Sequence, residues 1–540
     1  MDRSVFEHGV WVHRFHSSFP PRLASRNQTV MPARPNILLL LSDQHPSSIA
    51  GFAGDKVVRT QNLDALAARS VHCTTALCAS PVCTPSRMSM LTGKEPHRCA
   101  AWNNHWMIFP EHCTWPGHFA AHGYTTALVG KMHFGGRDQY QGFQHRPYGD
   151  LRHGLGHQPE PIDLFPGYAH VRSAGVSEIP ESMMQDVVVA RETQAFLLEH
   201  HDQHPEKPWF ACASFSRPHS PLTAPGRYIR RYRDKVVLPA LADGEPDSLE
   251  PFAQIAIPSD HPTRDEERRA LEAYYASIDF VDDCMGDLLT GLRQAGLLDN
   301  TIIIYTSDHG DMVGCHGLWG KRVYYEQSVA VPLLISGPGV KPGRHVWHDP
   351  VSLLDLFPTT CALAGLPIPP GLDGIDQSPA LREPGGTAAP RLFASSSYYD
   401  YGIRINRVRS ADQAPARAMR LVRTRDWKYV QVEKGGELLF NLLEDPNERV
   451  NRVAEPDQVD RVKAMRAMLE KDFSWEAAHK QLEADRQRVP EFLSGQRPST
   501  PNQYTLRDGR VCDAETGLYD ARWLYIPPEA TGGIIPQMRG

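Results

Sequence analysis

Apolar residues recur along this chain in two alternating patterns. The unbroken run at 37–41 reads as a buried strand, and the largely apolar or β-branched runs at 125–129, 209–215 and 301–305 read as further strands. Between the last two, Leu271, Tyr275, Ile278, Met285 and Leu288 fall at helical spacing and predict a long helix over 264–298, closed by Gly296 and Asn300. A shorter helix is expected at 62–69. Strands alternating with helices imply an α/β fold, a large, mostly parallel sheet sandwiched by helices, with ligands held beyond the carboxyl ends of the strands. The polar residues that follow Leu41 and Tyr305 are therefore expected on one rim.

The later part of the chain changes character. A Pro/Gly-rich passage at 367–390 reads as a linker, followed by strand-like runs at 391–396 and 427–432 and one charged amphipathic helix over 458–488. The expected layout is an N-terminal extension at 1–30, a catalytic α/β domain at 31–375, a smaller C-terminal α+β subdomain at 390–490 and a tail at 491–540. That tail carries Tyr504, Leu518, Tyr519, Trp523, Leu524, Tyr525, Ile534 and Ile535, too apolar for a solvated tail, so it should dock on its own subunit or a neighbour.

Charge and composition narrow the function classes. A net charge of −6 over 540 residues gives no general attraction for nucleic acid or an anionic membrane, so an anionic substrate needs a local basic pocket. Apolar runs fall far short of membrane-spanning length, and the first thirty residues lack a signal-peptide core. Ten cysteines without Cys-x-x-Cys pairs point to reduced thiols in a cytoplasmic enzyme.

One cysteine stands apart. Cys83-Thr84-Pro85-Ser86-Arg87, continuing to Leu91-Thr92-Gly93, resembles the signature of the formylglycine-dependent sulfatases of the alkaline phosphatase superfamily. Pro85 suits the first turn of a helix, which would place residue 83 where unpaired N–H groups favour an oxyanion, with Arg87 one turn on and able to reach back to it. The resemblance implies that a maturation enzyme oxidises Cys83 to formylglycine. Its hydrated aldehyde would offer one hydroxyl to attack sulfur and a second to expel sulfate.

Further motifs follow in the family's order. Asp43-Gln44 and Asp308-His309 each follow an expected strand and, with residue 83, imply a site for one divalent cation, Ca2+ or Mn2+. Many family members carry an aspartate where this chain has Gln44, leaving its site one negative charge poorer; choline sulfatases and phosphonate monoester hydrolases look similar in having Asp-Gln here. Gly130-Lys131-Met132-His133 resembles the family's Gly-Lys-x-His element, with Lys131 and His133 pointing the same way if the strand persists. His219, within Ser216–Pro221, resembles the histidine that serves the leaving group, and Lys321 the lysine that holds a sulfate oxygen. Asn104 lies where related enzymes have a substrate-facing asparagine, although a turn is the plainer reading.

The resemblance implies hydrolysis of small-molecule sulfate esters, arylsulfatase-like. Two alternatives stay open: a phosphonate monoester or phosphodiester hydrolase using the same site, and an inactive binding homologue. Trp102, Trp106, Tyr140 and Tyr148 could line an aryl or cationic pocket or belong to the core. Related choline sulfatases and phosphonate hydrolases look like oligomers joined through such tails, which implies a homo-oligomer.

Overall fold

The structure, a computed structural model, describes residues 34–513 except 105, 135–137, 139, 149–168, 242–260, 386–390, 401–402, 405–406, 409–416, 494–502 and 506–510. The extension at 1–30 and most of the tail thus lie outside the described residues.

The expected strands form the middle of an eight-stranded sheet. Across it run His345–Trp347, Val71–Cys73, Leu333–Ser336, Thr301–Ser307, Asn36–Asp43, Trp209–Pro218, Thr125–Gly130 and His145–Tyr148. Asn36–Asp43 is parallel to both neighbours, and Leu333–Ser336 is antiparallel to Thr301–Ser307 and Val71–Cys73. The apolar run alternates as a strand must: Ile37, Leu39 and Leu41 pack with Trp115, Phe119 and Phe357, while Leu38 and Leu40 pack with Tyr274, Ile278 and Leu288 on the other face. Covering both faces explains the unbroken hydrophobic run, since burial of each Leu contributes about 1.5–3 kcal/mol. The predicted long helix is Arg264–Gln294; Thr263 and Glu266 close a capping box at its start.

Register carries the strands' carboxyl ends to one rim. Ser42 lies opposite Ser307, Asp43 opposite Pro218, and Gly130 opposite Ser214. The expected convergence of polar residues is therefore observed.

A second, antiparallel sheet follows, ordered Ala394–Asp400, Arg417–Arg423, Trp427–Val432 and Glu437–Asn441. Its Val422, Tyr429 and Leu439 pack against Val462, Met465 and Leu469, with Trp102 and Trp106 in the same cluster. Those two tryptophans are core residues; the side chain of Tyr148 lies outside the described residues. The single helix expected over 458–488 is two, Val459–Glu470 and Trp475–Leu493. Between them Phe473 turns into the core against Trp475, and the Ser474 hydroxyl accepts from Ala477 N–H to start the second helix. The passage expected to be a linker is tied down: Gly374 N–H donates to Gly93 O, Arg391 pairs with Asp355, and Leu381 is buried. In the tail, Gln503–Thr505 pairs with Val511–Asp513 and lies beside the edge strand His145–Tyr148.

Candidate active site

Cys83 is the first residue of the helix Cys83–Thr92, with Val82 as its extended N-cap and Pro85 in the first turn. The side chain is buried at the strand-end rim. Its Sγ lies 3.2 Å from His309 Nε2, 3.6 Å from Lys321 Nζ and 4.0 Å from Asp43 Oδ1. Burial alone would raise the thiol pKa, but Lys321, Lys131 and His309 outweigh it and hold it well below the ordinary thiol value. The site is built to stabilise negative charge at this side chain.

Arg87 has partners beyond the expected one. Its guanidinium lies close enough to Cys83 to interact with its charge, but its hydrogen bonds fork between two buried carboxylates, Nε to Asp308 Oδ2 at 2.8 Å and one terminal nitrogen to Asp43 Oδ2 at 3.1 Å. The other terminal nitrogen donates to Lys131 O at 2.6 Å and Ser214 Oγ at 3.0 Å. Asp43 also pairs with Lys131. Burial would raise the Asp43 carboxyl, but Lys131, His219 and Arg87 hold it below the usual carboxylate range. Lys131, which burial would neutralise, is kept charged by Asp43 and by Cys83.

The histidine of Asp308-His309 is fixed by its neighbour. His309 Nδ1 lies 2.9 Å from the Gly310 carbonyl, which can only accept, so this nitrogen carries the hydrogen and Nε2 faces the thiol and carboxylates. Burial tends to lower the His309 pKa, yet Asp308 and Cys83 raise it. Gly310 is required for packing: a Cβ there would lie 1.9 Å from Gln327 O.

Lys131 and His133 reach the thiol by another route than strand alternation. The strand ends at Gly130, whose φ of 95° turns the chain; a Cβ there would meet Ser214 O at 2.1 Å. His133, at φ 59°, still lies close enough to Cys83 to interact with its thiol, and its carbonyl accepts from Thr84 Oγ1 at 2.9 Å. The His219 side chain lies close enough to Cys83 to interact with it, and its backbone N–H donates to Asp43 O at 3.1 Å. Burial, then Lys131 and Lys321, lower its pKa from the ordinary imidazole value, against Asp43. Asn104 is adjacent but occupied: its Oδ1 accepts from Thr84 N–H at 2.9 Å, serving the first turn of the cysteine helix.

Asp43, Cys83, Asp308 and His309 bring ligand atoms within 4.8 Å of one another, all buried. Gln44, at φ 67°, adds a carboxamide oxygen that contacts Lys321 Nζ. Two carboxylates, one amide oxygen and one imidazole nitrogen are a donor set that fits a hard divalent cation. Two neighbours escaped the sequence reading. Asp311 accepts from Gln44 Nε2, and His170, on the helix Ala169–Arg172, lies close enough to Asp311, His219 and Lys321 to interact with their charges. The acidic end of the Asp-His-Gly-Asp run was a signal for the first; a lone histidine signals nothing.

Known proteins share this arrangement of sequence and fold. The sulfatase family model matches residues 35–366, and a model of the C-terminal part of N-sulphoglucosamine sulphohydrolase matches 314–474. The choline-sulfatase of Rhizobium meliloti is 33% identical over 443 residues, covering 78% of this chain and 83% of the relative. The ulvan-active sulfatase of Formosa agariphila is 29% identical over 439 residues, covering 79% and 78%. In fold, the phosphonate monoester hydrolase of Agrobacterium radiobacter superposes with a TM-score of 0.67 at 23% identity, covering 89% of this chain and 99% of that one. With its signature cysteine at a helix N-terminus among buried cations and carboxylates, the chain belongs to the sulfatase family of sulfuric ester hydrolases.

Proposed function

We propose that residue 83 works as formylglycine, made from Cys83 by a maturation enzyme, and that the site hydrolyses small-molecule sulfate monoesters with one divalent cation, Ca2+ or Mn2+. The observation that carries this is the environment of Cys83: a buried helix N-terminus ringed by Lys321, Lys131, His309, His133 and His219. The hydrated aldehyde would supply one hydroxyl to attack sulfur and another to release sulfate. Asp43, Gln44, Asp308, His309 and residue 83 would hold the cation, which would draw charge from the sulfuryl oxygens.

The chain's own residues do the rest. Lys131 and Lys321, both beside residue 83, neutralise charge on the sulfate oxygens as the ester bond breaks. His219, whose Nδ1 is held 2.8 Å from the Ser220 carbonyl, would accept at Nε2 the proton that the attacking hydroxyl releases and deliver it to the departing oxygen. Arg87 holds Asp43 and Asp308 at a fixed separation. His133 orients the nucleophile; Asn104 holds the backbone of its helix and borders the substrate.

Phosphonate monoesters are the second reading, favoured by the Asp43-Gln44 pair and by the fold likeness to a phosphonate monoester hydrolase. A cytoplasmic location and a homo-oligomer complete the proposal; no described helix is long and apolar enough to cross a membrane. One preparation should be assayed on aryl sulfate, choline sulfate and aryl phosphonate, before and after chelation and metal add-back. We expect faster turnover of a sulfate, lost on chelation and restored by Mn2+ or Ca2+. Faster phosphonate turnover would reverse the preference, and undiminished activity in metal-free protein would remove the cation from the account.

A further inference from the structure

Asp311 ends the Asp308–Asp311 run and has no part in the function proposed above. It is buried, and both of its oxygens are engaged. Oδ1 accepts from Val313 N–H at 2.8 Å and Gly320 N–H at 3.0 Å, and Oδ2 accepts from Gln44 Nε2. A carboxylate has no hydrogen to give, so the edge of the Gln44 carboxamide facing it must be the NH2 edge. On the other edge stands Lys321 Nζ, which can only donate, against Gln44 Oε1. Both neighbours thus demand the same orientation of the amide. The Gln44 backbone is held as well: its N–H donates to Asp308 Oδ1 at 3.0 Å and its carbonyl accepts from the Tyr274 hydroxyl.

We infer that Asp311 is a positioning residue: it turns the Gln44 carboxamide oxygen into the cation site and, one hydrogen bond behind that ligand, supplies the negative charge that an amide lacks. The inference rests on the reading of Gln44 as a cation ligand. Its consequence is that the site is not poorer in charge than one with an acid at position 44; the acid stands behind the amide. Asp43, Asp308 and Asp311 then balance Arg87, Lys131 and Lys321, so a divalent cation would leave the site positive for an anionic ester. Gln44 and Asp311 form a matched pair, because an acid at position 44 would set two carboxylates face to face in a buried place.

A loop staple would hold Val313 and Gly320 but would not care about the chemistry at position 44, and this separates the two roles. In Asp311→Asn the oxygen is still needed by the two backbone N–H groups, so Nδ2 faces Gln44 Nε2 and the amide turns over. In Gln44→Glu the two carboxylates collide. In Gln44→Glu/Asp311→Asn the hydrogen bond returns with reversed polarity.

The experiment is calorimetric titration of Mn2+ into the four metal-free proteins, each also melted without metal. We expect each single variant to bind Mn2+ at least about tenfold more weakly, as for lost outer partners of metal ligands, and the double variant to return within about threefold of wild type. Wild type that binds neither Mn2+ nor Ca2+ would overturn the cation reading beneath the inference. Wild type that binds while Asp311→Asn binds equally well would overturn the positioning role alone. A double variant no better than the weaker single would overturn the pairing. Should Asp311→Asn fail to fold, Gln44→Glu against the double variant carries the same test.

Discussion

Arg87 shows what a residue's type and position tell and what they hide. Its spacing from Cys83 marked it as a site residue, but its partners, Asp43 and Asp308, come from two different strand ends and are invisible to spacing along one helix. Asp308 and Asp311 pose the same problem: both are acids in one short motif, and only the three-dimensional arrangement shows that one faces Cys83 and the other faces Gln44. Removing Arg87 would leave two carboxylates buried without their shared counter-ion. Arg87→Met should therefore lower stability by about 3–5 kcal/mol, the usual cost of breaking a buried ion pair from one side. Urea unfolding of the metal-free proteins measures this, and a loss below about 1 kcal/mol would place the pair in the class of exposed bridges.

At the scale of elements, the strands were legible because burial on both faces leaves runs rich in apolar and β-branched residues, unbroken at 37–41, and the rim followed from their direction. The turn after Gly130 was not, since a glycine at φ 95° looks like any other in sequence. Nor was the break at 471–474, where Phe473 keeps the apolar rhythm while leaving the helix. The cysteine helix is tied to the second sheet by Glu95, just beyond its end, which takes hydrogen bonds from Arg420 at 3.0 Å and from Ser395. Burial would raise the Glu95 carboxyl, but Arg420 and His97 bring it to about 2 from 4.5. His97, edge-on to Phe473, is lowered by burial to about 4 from 6.5 despite Glu95. Both folded values lie below the unfolded ones, so both groups lose stability on acidification. The His97 share should disappear as pH falls from 6.5 to 4, and the Glu95 share from 4.5 to 2. Melting temperatures across these windows check it: Glu95→Gln should flatten the lower window relative to wild type and His97→Gln the upper. A wild-type slope retained in both variants would refute the assignment.

At the scale of the whole molecule, the site sits where one large, mostly parallel sheet delivers Asp43, Gly130, Ser214 and Ser307 to a common rim, and the second sheet is tied to the segment after Lys321. Lys428 on that sheet donates to Tyr324 O at 2.7 Å and pairs with Glu326, steadying the segment that follows Lys321. In the tail, Gln503–Thr505 lies beside the edge strand His145–Tyr148. Deleting the chain from Arg497 should reduce assembly size in light scattering while leaving modification of Cys83 intact, because the signature lies elsewhere. An unchanged assembly would assign the tail to its own subunit.

The nucleophile remains the point on which everything turns. Mass spectrometry of the peptide spanning Cys83, taken from preparations whose sulfate-ester turnover is measured in parallel, addresses it directly. We predict an aldehyde at residue 83, turnover that scales with its fraction, and a Cys83→Ser enzyme that binds metal but does not turn over. Full activity from protein carrying only the unmodified thiol would contradict the account.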